Sequence, residues 1–346
     1  MSGKCGRPKR KPKTDKGSIY LTREVFRFDH CDDGNVRLFI GTKTNNIGYL
    51  SFKAHGKFEI PNSLYVRKER GHYYVSFCYE QGQPDRKLST NEEHLAFLQG
   101  ATREYLEEHT MGVDRGVAIP VCAGEQTYDF THSQKKNMSK ADRYIKRLQR
   151  KLARQQKGSN RRAKTKHRIA VHHAKKANIR NDFAHKTSRL LVDSSAKIIV
   201  FEALRTARMT RRPKAKQDEQ GRFISNKAKQ KAGLNKSILN VGWHVIETYT
   251  YYKAYSSSKA VFKIPAPTTS QECAKCGHTH PDNRKTQALF VCGNCGNTDN
   301  ADHNASLVIK KRAINLILDT GTVLSGDGVL RTQSDSGRGG NRKTGR

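Results

Sequence analysis

The chain has 346 residues, with 66 lysines and arginines against 31 aspartates and glutamates, a formal charge of +35. That length allows two or three domains with their own cores. The charge would repel itself without a polyanion, so nucleic acid is the natural partner, with an acidic membrane surface as its rival. No apolar run reaches the roughly 18–20 residues that span a bilayer, and the basic N-terminus lacks the apolar core of a signal peptide; the expectation is a soluble, intracellular protein.

Residues 1–17 form a basic arm with Pro8 and Pro12 and no acid before Asp15. A flexible solubilising tail and a nucleic-acid contact are both open for it. From Val36 to Glu80 short β-rich runs follow, at Val36–Ile40, Tyr49–Phe52, Leu64–Arg67 and His72–Tyr79, with a hairpin turn at Glu69-Arg70-Gly71. This spacing predicts a small antiparallel barrel or part of one, with Tyr73, Phe77 and Tyr79 packed inside it. Residues 81–108 are polar around Leu95, Phe97 and Leu98 and read as a helical connector.

A second domain opens at Thr110, where two apolar β segments flank Asp114-Arg115-Gly116. Between Ser139 and Arg180 there are 16 lysines and arginines and one acid, Asp142. Helical spacing of Ile145, Leu148 and Leu152, then of Ile169, Ile179, Phe183 and Leu190, predicts a long hairpin turning at Gly158-Ser159-Asn160. With almost no acids to alternate with, Lys146, Arg147, Arg150, Lys151, Arg154, Arg161 and Arg162 are the candidate nucleic-acid contacts. Lys197–Glu202 is a buried-strand pattern, 208–236 a mobile excursion, and 234–255 one amphipathic helix with the single tryptophan, Trp243. Val261–Ile264 is a further strand, Asp302–Leu318 a helix, and everything after 320 a disordered tail.

Cys273, Cys276, Cys292 and Cys295 are spaced C-x2-C-x15-C-x2-C, and each pair is followed by a glycine, Gly277 or Gly296, that permits the left-handed turn of a metal knuckle. Four thiolates close a tetrahedral Zn2+ site with no open position, so a bound zinc is structural. The remaining cysteines (Cys5, Cys31, Cys78 and Cys122) are scattered among β-like segments and read as thiols of a reducing compartment.

Three acids lie in or at the end of elements expected to be buried: Asp114 in a first strand, Glu202 closing a later one, and Asp302 opening a helix. Asp299 rivals Asp302, since either can cap that helix. Crowded carboxylates repel one another and take up protons unless a divalent cation neutralises them. Mg2+ prefers hard oxygen ligands, and two ions about 3.5–4 Å apart can flank a phosphodiester.

These motifs together resemble the TnpB family, RNA-guided nucleases of bacterial and archaeal insertion sequences related to the type V CRISPR effectors. The resemblance is carried by Gly112-Val-Asp-Arg-Gly-Val, Ile199-Val-Phe-Glu-Ala-Leu, Lys231-Ala-Gly-Leu-Asn-Lys-Ser-Ile-Leu, Thr269-Ser-Gln-Glu-Cys-Ala-Lys-Cys-Gly-His, Gln287-Ala-Leu-Phe-Val-Cys and Asn300-Ala-Asp-His-Asn-Ala-Ser. It implies an α/β RNase H/RuvC-like nuclease domain with Asp114, Glu202 and Asp302 as catalytic, Mg2+-holding acids, which favours Asp302 over Asp299. It also implies an N-terminal wedge β-barrel segment and an inserted four-cysteine zinc ribbon.

The expected layout is a basic arm (1–17), a partial wedge and connector (18–108), a RuvC-like domain (109–268) with its basic hairpin (139–193), the ribbon (269–298), a C-terminal RuvC-like helix (299–320) and the tail (321–346). The implied partners are a guide RNA from the element and double-stranded target DNA, in the cytoplasm and nucleoid of a prokaryote. The implied activity is RNA-guided DNA cleavage; the alternative is a guide-RNA-bound DNA-binding protein that does not cut. Family members usually begin with an earlier wedge strand and inserted recognition helices, and this chain starts near where the wedge resumes. A transposase that joins DNA through a tyrosine and a His-hydrophobic-His pair is disfavoured, because the tight His-x-His here, His278-Thr279-His280, has a polar middle residue.

Overall fold

The computed structural model describes residues 17–30, 35–42, 44–54, 58–69, 72–78 and 88–332. The rest of the basic arm, Tyr79 and the tail from 333 onward lie outside the described residues. The chain divides into two compact units, residues 1–86 with 147–171, and residues 87–146 with 172–346.

In the first unit the strands are β1 (Gly17–Thr22), β2 (Phe26–His30), β3 (Asn35–Gly41), β4 (Asn46–Lys53), β5 (Ser63–Glu69) and β6 (His72–Ser76). They pair antiparallel as two three-stranded sheets, β1-β5-β6 and β2-β3-β4. Among the described residues no ladder joins the two, so a closed barrel is not shown; the two sheets share one core. Period-two alternation supplies that core. Leu21, Leu64 and Val66 from one sheet and Phe26, Phe28, Val36 and Leu38 from the other bury their side chains together. Leu38 and Leu64 are fully buried, each worth about 2 kcal/mol in transfer free energy. Phe77 packs against Phe28 and Phe58 as expected. Tyr73 does not: it is 58% exposed, with Lys68 over its ring. The outer faces carry further cation–aromatic pairs, Arg67 over Tyr74 and Arg37 over Tyr49.

The second unit begins with α1 (Asn91–Leu98), α2 (Arg103–His109), β7 (Thr110–Val113), β8 (Val121–Ala123) and β9 (Gln126–Tyr128). The long helices α3 (His132–Ala153) and α4 (Asn160–Asp193) follow, with their residues 147–171 belonging to the first unit, then β10 (Ile198–Glu202), α5 (Thr206–Met209) and the short β11 (Lys216–Gln217) and β12 (Phe223–Ile224). The chain continues through α6 (Ala228–Val241), α7 (Trp243–Ser256), β13 (Ala260–Ile264), β14 (Leu289–Val291), β15 (Thr298–Asn300) and α8 (Ala301–Leu318), and ends in β16 (Thr322–Leu324) and β17 (Leu330–Thr332).

The centre is a parallel sheet in the order β13-β10-β7. All five residues of β10 are buried, as a central strand covered on both faces requires. Ile199 and Phe201 enter a core with Phe183, Leu191, Ile238, Trp243 and Ile246 from α4, α6 and α7. Ile198 and Val200 enter another with Leu95, Leu106 and the apolar side of α8. The β8–β9 hairpin joins the sheet through a reciprocal main-chain pair, Asp114 N to Cys122 O at 2.8 Å and Cys122 N to Asp114 O at 3.0 Å. The opposite edge is closed by a side chain. Asn91 donates to the Val261 carbonyl at 2.6 Å and accepts from the Val261 amide at 3.2 Å, serving as a strand neighbour would.

Three expectations change here. The predicted single helix over 234–255 breaks at Gly242, whose φ of +79° ends α6 and restarts the chain as α7. A left-handed residue costs glycine little, and the break lets Trp243 turn inward and donate to the Gly116 carbonyl at 2.9 Å. The stretch expected to be a mobile excursion holds α5, the β11–β12 pair and the first turns of α6. The tail is ordered through Thr332, because Val329 and Leu330 are buried and the Lys263 amide donates to the Gly328 carbonyl at 2.9 Å.

Candidate active site and metal centre

Because β7 and β10 are parallel neighbours, their carboxyl ends lie side by side. Asp114 is one residue past β7 and Glu202 is the last residue of β10. The carboxyl edge of a parallel sheet is where such folds place their ligand crevices. Asp302 arrives from elsewhere, on the first turn of α8, where Asn300 caps the helix by accepting from the Asp302 and His303 amides at 2.9 and 3.2 Å. That position puts its carboxylate at the positive end of the helix.

Asp114, Glu202 and Asp302 are 9%, 6% and 4% exposed. Burial raises the Asp114 carboxyl to about 7, with the charges of Glu202 and Asp302 adding to the effect. Burial also raises Glu202 and Asp302. Burial thus drives all three toward the neutral form, and Asp114 feels the charge of both others. Their oxygens are not all within the 4.8 Å that encloses the four cysteine sulfurs; among the described residues only the cysteines form so tight a group. Asp299, the rival acid, is committed elsewhere, paired with His303 Nδ1 at 2.8 Å.

Four further side chains stand near the acids without having been singled out from the sequence, although Arg115 and Thr269 lie within the motifs that carry the resemblance. Thr269 donates its hydroxyl to Glu202 Oε1. Arg284 pairs with Asp302 at 3.1 Å and holds its carboxyl against the rise from burial. Arg115, next to Asp114, donates to the Glu202 main-chain carbonyl and pairs with Glu247 at 2.7 Å. Cys122 also lies close: burial first, then the charges of Asp114 and Asp302, push its thiol up to about 12, so it stays neutral.

The cysteines meet as two knuckles. Sγ distances are 3.7 Å for Cys273–Cys295 and 3.6 Å for Cys276–Cys292. Two sulfurs bound at ~2.3 Å to one tetrahedral zinc would lie about 3.8 Å apart, so the donor set fits Zn2+. Asn283 ties the knuckles together, donating to the Gln271 and His278 carbonyls and accepting from the Gly293 amide. Asn304, wholly buried on α8, accepts from the Ala274 amide at 3.0 Å and donates to the Glu272 carbonyl at 2.7 Å. Asn304, two residues after Asp302, thereby binds α8 to the ribbon, a link not drawn from the sequence. His278 and His280 have rings stacked 6.2 Å apart, and His280 Nδ1 accepts from the Asp282 amide at 3.2 Å.

Lys146, Arg147, Arg150, Lys151, Arg154 and Arg161 lie on exposed faces of α3 and α4. Arg162 differs. It is half-buried and donates to the Leu152 and Gln155 carbonyls, closing the C-terminal end of α3. No helix among the described residues is long and apolar enough to cross a membrane.

Two family models match the chain. OrfB_IS605, described as "Probable transposase", matches residues 76–212 and includes Asp114 and Glu202. The Cas12f1-like TNB domain matches residues 243–309 and includes the four cysteines and Asp302. The chain is 36% identical over 288 residues to "Putative RNA-guided DNA endonuclease InsQ" of Escherichia coli K12, covering 82% of this chain and 64% of that protein. It is 27% identical over 263 residues to the CRISPR-associated endodeoxyribonuclease Cas12f1 of Sulfoacidibacillus thermotolerans, covering 72% and 53%. It thus spans less than two thirds of the length of either relative. A cryo-EM structure of CasPhi-2 (Cas12j) bound to crRNA aligns with 91% of this chain and 67% of its own, at 14% identity and a TM-score of 0.46, too low to carry an argument. The chain thus carries both matched modules in this order, the first with Asp114 and Glu202 and the second with the four cysteines and Asp302, and is similar to the two named endonucleases over part of their length.

Proposed function

We propose that this protein is an RNA-guided, Mg2+-dependent DNA endonuclease encoded by an insertion sequence, cutting with a RuvC-type site made of Asp114, Glu202 and Asp302. The observation that carries the proposal is the convergence of these three buried acids at one edge of a parallel sheet. The sheet order β9-β8-β7-β10-β13, antiparallel up to β7 and parallel after it, favours an RNase H/RuvC-like domain over residues 109–268 and 299–320. Residues 269–298 are then an inserted zinc ribbon and 18–108 a partial wedge. The names borne by the two relatives favour the same activity.

The acids supply the hard oxygen ligands that Mg2+ prefers. Asp114, Glu202 and Asp302 are the residues that would hold the metal, whose charge would offset the repulsion Asp114 feels from the other two carboxylates. Bound Mg2+ would supply a Lewis acid and an activated water at the phosphodiester. The chain's own residues prepare that place. Thr269 fixes the Glu202 carboxylate, the first turn of α8 aims Asp302, and Arg284 shields its charge. The four cysteines would hold Zn2+, which stiffens the ribbon that delivers Arg284. The exposed cations of α3 and α4 suit the backbone of a guide–target duplex, while base pairing selects the sequence.

The test is incubation of the RNA-bound protein, Mg2+ and supercoiled plasmid carrying a sequence matched to the copurifying RNA. Linear product that disappears in Asp114→Ala, with RNA binding retained, supports the proposal. Cleavage that survives Asp114→Ala refutes the site. A gel shift without cutting leaves a guide-RNA-bound DNA-binding protein.

A further inference from the structure

Arg115 is a buried cation with a particular set of neighbours. Its side chain is 1% exposed, and its guanidinium lies over the Phe201 ring at 5.0 Å from the centroid. One arm donates to the main-chain carbonyl of Glu202, and the other pairs with Glu247 of α7 at 2.7 Å. Glu247 is held in turn by Lys263 of β13 at 3.1 Å. The chain Lys263–Glu247–Arg115 therefore runs behind the carboxyl ends of β13, β10 and β7.

A buried guanidinium offers five donors in a rigid plane and, unlike an ammonium, can satisfy two acceptors in fixed directions. The two things joined here are the residue following Asp114 and the main chain of Glu202. The Glu202 carbonyl also accepts from the Leu204 amide at 2.9 Å, so it would not be orphaned without Arg115. A simple need to satisfy that carbonyl does not explain the arrangement. The parallel ladder between β7 and β10 ends at the pair Val113–Phe201, one residue short of both acids. Beyond it, nothing in the ladder sets the spacing of Asp114 from Glu202.

We propose that Arg115 is a positioning residue that takes over where the ladder stops, fixing the separation of Asp114 and Glu202 for divalent-cation binding, with Glu247 and Lys263 as its anchor. The inference rests on the three-acid reading of the site. Arg115 touches neither substrate nor reacting atoms; it acts through the two acids.

The test separates this role from fold stability and from cleavage. Arg115→Met with Glu247→Gln removes both buried charges together, and Lys263, about one-fifth exposed on its side chain, can turn to water. Arg115→Lys keeps a charge beside Glu247 but loses the second arm. Mn2+ binding to the purified full-length chain is followed by electron paramagnetic resonance without nucleic acid, with Asp114→Asn as the reference for site occupancy. The expected result is Asp114-dependent Mn2+ binding by the wild type, and at least tenfold weaker binding by the folded double variant and by Arg115→Lys. Zinc content should be unchanged in both. Mn2+ affinity within twofold of wild type in either folded variant overturns the proposal. Absence of Asp114-dependent binding in the wild type overturns the three-acid reading and this inference with it. If the double variant does not fold, Arg115→Lys decides alone.

Discussion

Gly112 in β7 lies so close to Ser306 in α8 that a methyl group on it would sit 2.1 Å from the Ser306 carbonyl oxygen and 2.7 Å from the Lys310 amide nitrogen. Both contacts are main chain, and neither can step aside as a flexible side chain would. Gly112 is two residues before Asp114, and Ser306 is four residues after Asp302. The close approach of strand and helix therefore sets how near those two acids come. Gly112→Ala should cost about 2 kcal/mol or more, the range of overpacking a tight core, and should lower divalent-cation affinity as well. Urea denaturation of the full chain and Mn2+ titration of the folded variant measure the two effects separately; an unchanged midpoint would contradict the contact.

Removal of zinc should act on the ribbon first. With Cys276→Ser, the stoichiometry of one zinc per chain, read by mass spectrometry of the metal, should fall to near zero. Asn304 and Arg312 join α8 to the ribbon, Arg312 through Glu272 at 2.8 Å. Loss of the metal should therefore also lower the melting temperature of the domain bearing the acids. Zinc retained at full stoichiometry would refute the four-cysteine site.

The pH dependence of stability without added Mg2+ follows from Asp114. Its carboxyl titrates near 7 in the folded chain and near 4 when unfolded, so the folded state binds more protons between these values. Stability from this group is full below about pH 4 and is lost as pH rises through 7. Thermal melts at pH 5 and pH 8 should therefore differ by less in Asp114→Asn than in wild type. Added Mg2+ should raise the wild-type melting temperature more at pH 8 than at pH 5. An equal Mg2+ effect at both would count against the cluster.

Cationic residues of the hairpin should divide into two kinds. Replacing Lys146, Arg150, Lys151 and Arg154 together by alanine should weaken RNA binding at least tenfold and reduce the salt dependence of binding, with little change in melting temperature. Arg162→Ala should do the reverse, costing about 1 kcal/mol through the lost carbonyl contacts while leaving the salt dependence nearly unchanged. Filter binding across a salt series, with melts on the same samples, distinguishes them.

The sequence by itself determined whatever depends on short-range pattern. The knuckle spacing of Cys273–Cys276 and Cys292–Cys295, the apolar run ending in Glu202, and the helical spacing before Gly158 are each set within a few turns or strand residues. Physical reasoning on neighbours suffices for them, because metal chelation, strand burial and helix periodicity are local. The resemblance added the choice of Asp302 over Asp299.

Tertiary structure alone decided the rest, because those interactions join residues that no local period relates. Arg115 and Glu247 are 132 positions apart, and Thr269 and Glu202 are 67 apart. Alternation predicted the strands of the first unit but not their grouping into two three-stranded sheets, because it does not encode which edges meet. Gly242 broke a helix whose apolar pattern runs through it, since burial of Trp243 required the turn. Residues 321–332 are held by the burial of Val329 and of Leu330, which joins a core with α8 and β13. Local pattern suggests which elements can form; the burial of distant surfaces decides which of them persist, where they end, and where each acid and the side chains that hold it come to rest.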